Sequence, residues 1–136
     1  MAESFKFDLV LPRTCVFSEE VIQVIVPAAG GYITILPGHE VMVGTVRPGI
    51  IEILQEPDQK KSFFVRNGFI DVSFENVVLL SSRIIPLDML TSQDVEVERQ
   101  LAKDFLEAAA DCEEARLLAA QFSRDLENAF ARASFE

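Results

Sequence analysis

Gly31-Tyr32-Ile33-Thr34-Ile35-Leu36-Pro37-Gly38-His39-Glu40, followed by Arg47-Pro48-Gly49-Ile50-Ile51-Glu52-Ile53, decides the fold of this chain. Short apolar segments lead into and out of two Pro-Gly dipeptides. Pro sets φ at about −65° in the second position of a turn, and the next Gly takes the positive φ that a type II turn needs. Both dipeptides therefore read as type II turns between strands. Upstream, Phe5, Phe7, Leu9 and Leu11 alternate with Lys6, Asp8 and Val10, the period of a half-buried strand. Apolar runs follow at 21–26, 32–36, 41–46, 50–54, 63–66, 69–73 and 77–80. Turn residues separate them at 28–31, Glu56-Pro57-Asp58, Asn67-Gly68 and Glu75-Asn76. Asn67-Gly68 gives the strongest hairpin signal, because both central residues of a type I′ turn want positive φ. Many short strands at this spacing imply a β-sandwich or flattened barrel.

Beyond Pro86 the grammar changes. All six Gly and all six Pro lie at or before that residue. Thr91 suits a helix cap, with Asp94 near the positive end of the helix dipole. Val97, Leu101, Phe105 and Ala108 recur at helical spacing, as do Ala115, Leu118, Ala119, Phe122, Leu126, Ala129, Phe130 and Ala133. Asp111 with Glu114 is a weak cap signal for a second helix. No Gly closes the first helix, and Ala108-Ala109-Ala110 favour continuing it, so the local signal for a break is soft. A helix pair of this size buries about six large apolar side chains, at roughly 1.5–3 kcal/mol each before entropy is charged. A partner surface can compete with a net that small.

The 136 residues carry a formal charge of −10, which argues against a nucleic-acid binder and against adhesion to anionic lipid. The uncharged stretch 21–38 is interrupted by Pro27, Gly30, Gly31 and Pro37, and reads as two buried strands and a turn rather than a membrane span. The residues from Met1 to Asp8 lack the pattern of a signal or transit peptide, which predicts a cytoplasmic product. Cys15 and Cys112 have no metal-ligand spacing and read as reduced, buried or half-buried thiols. The single His, His39, has no nucleophile elbow to serve, and no phosphate-cradling Gly-rich loop occurs. The carboxylates of the tail share faces with Arg99, Lys103, Arg116 and Arg124, as surface ion pairs do. No catalytic residues, cofactor or metal site are expected.

Val16-Phe17-Ser18, the stretch from Gly31 to His39, Val46-Arg47-Pro48-Gly49-Ile50-Ile51 and Asn67-Gly68-Phe69 together resemble the epsilon chain of bacterial F-type ATP synthases. The resemblance runs almost end to end. It implies a ten-stranded sandwich over 1–87, the assembly part, and an antiparallel two-helix hairpin over 88–136, the regulatory part. It implies a non-catalytic rotor subunit in the central stalk that couples the gamma subunit to the c-subunit ring. The hairpin would restrain ATP hydrolysis by reaching the alpha and beta subunits.

By the same resemblance, Ala28, Ala29, Gly30, Gly31 and Tyr32 match the loop beside the c ring, where the family often has an acidic residue in place of Tyr32. His39, Glu40, Val41, Met42 and Val43 match the gamma-facing edge. Arg116, Arg124 and Arg132 would contact the catalytic head. Glu96 and Arg99 match a nucleotide-binding motif, with Glu96 and Gln100 departing from it. The implied location is the cytoplasmic face of the bacterial inner membrane, with membrane contact only through the complex. The alternative reading is a free-standing β-sandwich adaptor or chaperone module.

Overall fold

Alternation along β1 (Phe5–Leu11) carries directly into the fold: Phe5, Phe7 and Leu9 are buried, and Lys6, Asp8 and Val10 are half-exposed. The computed structural model describes residues 3–134, so positions 1–2 and 135–136, the outer ends of the two expected parts, lie outside the described residues. β1 pairs with β2 (Thr14–Val21) as a hairpin and, in parallel, with β9 (Asn76–Ser81). β5 (Met42–Val46) and β8 (Gly68–Val72) complete this layer, in the order β5-β8-β9-β1-β2. The other layer runs β10-β7-β6-β3, built from β3 (Gln23–Ala28), β6 (Gly49–Glu56), β7 (Gln59–Val65) and β10 (Ile84–Pro86). β4 (Gly31–Ile35) pairs with β3, and the end of β3 crosses to β5 through Ala28 and Val46. These ten strands make the expected sandwich.

The layers enclose one core, in which Phe7, Leu9 and Leu79 of one sheet meet Val24, Ile51, Ile53 and Phe63 of the other. A second apolar cluster lies outside it. Ile50, Phe64 and Ile85 point away from the sandwich core and are covered by Ala102 of α1 (Ser92–Ala108) and Phe122, Leu126, Ala129 and Phe130 of α2 (Glu113–Ser134). Adjacent apolar pairs such as Ile50-Ile51 and Phe63-Phe64 thus serve both faces of one sheet, as strands covered on two sides do.

Several turns differ from their sequence reading. Pro37-Gly38 is the expected type II turn, with Gly38 at φ +81° and the His39 N–H donating to the Leu36 carbonyl at 3.1 Å. Gly49 has no positive φ; it opens β6, where a Cβ would sit 2.7 Å from the Pro27 ring and the Tyr32 hydroxyl. Asn67-Gly68 forms no hairpin. β7 pairs with β6 and β10, β8 pairs with β5 and β9, and neither Asn67 nor Gly68 has a positive φ. The dipeptide crosses between layers, and Gly is needed because a Cβ there would fall 1.8 Å from the Leu80 carbonyl oxygen.

In the hairpin, Thr91 and Asp94 form a full capping box. Its backbone and hydroxyl hydrogen bonds hold the Asp94 carboxyl below the usual carboxylate range. The buried face of α1 is not the expected one: Val97 and Phe105 are exposed, whereas Glu98 and Ala102 are buried. The α2 stripe holds from Ala119 onward, but Leu118 is exposed. Cys112, rather than Asp111, opens α2 by accepting the Arg116 N–H at 2.9 Å. The link between the helices contains no residue of positive φ. Both thiols are free and exposed, which corrects their reading as buried or half-buried: Cys15 faces outward at the start of β2, and Cys112 lies at the hairpin tip.

Candidate functional site

The hairpin from β3 to β4 presents Ala29 and Gly30 at an exposed tip, with Ala28 opposite Gly31. Tyr32 follows on the outer side, yet it is not left free for a polar contact. Its hydroxyl accepts the Ile50 N–H at 3.0 Å, and the Arg132 guanidinium lies over its ring, 4.0 Å from the centroid. Arg47 completes the arrangement by donating to the Ala29 carbonyl at 3.3 Å and, through Nε, to Asp125 Oδ2 at 2.9 Å. That hydrogen bond to Asp125 raises the Arg47 pKa further. Loop 28–32 is therefore also the dock for the C-terminal half of α2.

On the opposite layer, His39 is half-buried and its Nδ1 lies 3.0 Å from the Glu40 carbonyl oxygen. Glu40, Val41 and Val43 are exposed, but Met42 turns inward and packs against the sandwich core. Register extends the patch across the sheet: Val43 faces Asp71, Thr45 faces Phe69, Phe69 faces Leu80 and Asp71 faces Val78. Directly paired residues share a face, so Val43, Phe69, Val78 and Leu80 form one exposed apolar surface. Val43 and Phe69 are 74% and 60% exposed. Asp8, opposite Val78 on β1, and Asp71 put carboxylates on that same face. Phe69, Val78 and Leu80 were missed in sequence, although their alternation with buried Ile70, Val77 and Leu79 carries the signal.

Arg116 and Arg124 are exposed on α2 and make no ion pair among the described residues. Arg132 is committed to Tyr32 and lies 3.7 Å from Glu52. Glu96 and Arg99 do come together, at 3.3 Å, but Arg99 is spent elsewhere. Its Nε and Nη2 donate to the two carboxylate oxygens of Glu127 on α2, at 2.8 and 2.9 Å. This clasp lowers the Glu127 pKa and raises that of Arg99. A phosphate group would have to displace Glu127 to reach the guanidinium. Of the four tail cations expected in surface ion pairs, Arg99 alone makes one among the described residues.

Among the described residues no group of three or more His, Cys, Asp and Glu is placed to hold a metal. No described helix is long and apolar enough to cross a membrane.

A family profile described as ATP synthase, Delta/Epsilon chain, beta-sandwich domain matches residues 4–87. The chain is 38% identical to an ATP synthase epsilon chain from Paramagnetospirillum magneticum, over 80% of this chain and 82% of that one. It is 35% identical to an ATP synthase epsilon chain from Rhodospirillum centenum, over 93% of each. The fold is similar to a chain in the Euglena gracilis mitochondrial ATP synthase, with a TM-score of 0.70 at 20% identity, covering 93% of this chain and 81% of that one. A chain in the central stalk and c ring of the Tetrahymena thermophila mitochondrial ATP synthase gives 0.61 at 10% identity, over 92% and 98%.

Proposed function

We propose, from the premise that this chain belongs to the ATP synthase epsilon-chain family, that it is a non-catalytic rotor subunit of the central stalk. The observation that carries this reading is the exposed apolar face of Val43, Phe69, Val78 and Leu80, next to the 39–43 edge. A lone soluble domain gains nothing from such a face, whereas a permanent partner buries it. The gamma subunit is that partner. Loop 28–32 meets the c-subunit ring, which brings the chain to the cytoplasmic side of the membrane without a membrane contact of its own.

The sandwich, residues 1–87, assembles the stalk. The hairpin, residues 88–136, restrains ATP hydrolysis by exchanging its seat on the sandwich for the alpha and beta subunits. Among the described residues Arg116 and Arg124 have no ion-pair partner in the seated arrangement and so are available for that contact. Nucleotide binding is not part of the function, because Arg99 already holds Glu127.

Pull-down with gamma tests the reading. Phe69→Glu would place an unpaired charge inside the interface, costing several kcal/mol of binding. Unchanged gamma affinity of a folded Phe69→Glu chain would remove this face from the stalk interface. Met42→Glu cannot serve, because Met42 faces the sandwich core and the change would damage folding itself.

A further inference from the structure

Glu98 is the one fully buried carboxylate of the hairpin among the described residues, and it sits between two arginines of the sandwich. Arg66 lies on the link from β7 to β8, and Arg83 on the link from β9 to β10. The Arg66 N–H donates to the Arg83 carbonyl at 3.1 Å, which fixes the two links, and their cations, side by side. Arg66 grips Glu98 as a fork, Nε to Oε1 at 2.7 Å and Nη2 to Oε2 at 2.8 Å. Arg83 Nε lies 3.8 Å from Glu98 Oε2, buried and without a hydrogen bond, while its Nη2 donates to Asp94 at 3.1 Å. Among the described residues no carboxylate of the sandwich pairs with either arginine.

The β-fold therefore places two cations together without neutralising them. A buried charge pair adds little net stability over an apolar one, but losing one partner leaves costly unpaired charge. This is the behaviour of a binding site rather than of a core. Beside it lies the apolar strip of Ile50, Phe64 and Ile85, which the hairpin covers together with Leu87.

We propose that Arg66 and Arg83 form a carboxylate-binding pair on the sandwich, which the hairpin occupies reversibly in cis through Glu98. When the hairpin leaves, the pair and the strip accept an acidic amphipathic helix of another chain. The seated hairpin and that helix exclude one another, so a bound helix keeps the hairpin off the sandwich. Glu98 acts here as a positioning residue. The proposal concerns the chain by itself, and its failure would leave the stalk assignment intact.

The full chain carries its own probes, since Cys15 on the sandwich and Cys112 at the hairpin tip are both exposed and free. Donor and acceptor labels on these thiols read hairpin position, and hydrogen exchange reads α1, α2 and the strands separately. Glu98→Gln should raise the long-distance population at least tenfold and speed exchange in both helices, leaving β1 and β9 unchanged. A synthetic peptide of residues 92–108 should lengthen the distance in the wild-type chain, and the same peptide with Gln at its Glu98 position should bind at least tenfold more weakly.

A Glu98→Gln chain with wild-type distances and exchange would overturn the proposal. So would equal binding by the two peptides. If Glu98→Gln unfolds the sandwich as well, a chain with Arg66→Met, Arg83→Met and Glu98→Leu decides. It should seat its hairpin yet lose the preference between the two peptides, and a retained preference would overturn the proposal.

Discussion

The sandwich and the hairpin are held by different physics. The sandwich closes around residues contributed by both sheets, so its apolar contacts exist only when nearly every strand is in place. The hairpin lies on the outside of one sheet, with a smaller apolar cluster and ion pairs from Asp94, Glu98 and Asp125 to arginines of the sandwich. The first arrangement resists partial loss. The second is expected to come undone without disturbing the first.

Gly68→Val is the harshest way to test this contrast. The new Cβ would overlap the Leu80 carbonyl, so β8 and β9 must separate. A loss above about 4 kcal/mol is expected, at the exceptional end for single substitutions. Chemical denaturation should show both parts lost in one transition. Phe122→Ala attacks the other side. Phe122 packs in the outer cluster and against Phe105, with ring centroids 5.2 Å apart, and its removal should cost about 3–5 kcal/mol of hairpin docking. Hydrogen exchange should rise in α1 and α2 while the strands keep wild-type protection. Strands loosening together with the helices would mean the two parts are one cooperative unit.

Tyr32→Phe sharpens the comparison at the seam. It keeps the ring under Arg132 but leaves the Ile50 N–H without its acceptor, at a cost of about 1–3 kcal/mol. Thermal unfolding of the variant should show a lower midpoint, with hairpin position unchanged. Acid should give the smallest effect. Asp94 and Glu127 have depressed pKa values in the folded chain, from hydrogen bonds with Thr91 and Arg99 respectively. Their contribution is complete above the ordinary carboxylate range and is lost as pH falls through the lower folded values. Helix exchange should therefore quicken in acid before strand exchange does, as measured across a pH series.

Most of the sandwich was legible because period-2 alternation and turn residues are local signals. β2 was missed because its sequence, Thr14 to Val21, is mostly polar and faces solvent at a sheet edge. Asn67-Gly68 was misread because two different needs call for the same residue. A tight turn needs Gly for its φ, and a close backbone approach needs Gly for its missing Cβ. Only the position of Leu80 tells them apart. The α1 face failed for a related reason: a helical stripe is found by seeking apolar residues, and here the most buried one is a glutamate. Its partners Arg66 and Arg83 are distant in sequence, so no local spacing announces the site. In the 39–43 edge Glu40, Val41 and Val43 are exposed, whereas Met42 packs against the core, a difference that the apolar run 41–46 does not announce.

The parallel pairing of β1 with β9 has a consequence for the order in which the chain is made. β1 and β2 can close as a hairpin as soon as they leave the ribosome, but Lys6 meets Asn76 only some 70 residues later. At about 5–20 residues per second, that edge of β1 waits for several seconds without its neighbour. During the wait it offers unpaired backbone groups and the side chains of Phe7 and Leu9 to any other nascent strand. Lys6 and Asp8, alternating with those side chains, place charge on the waiting strand and discourage a wrong match.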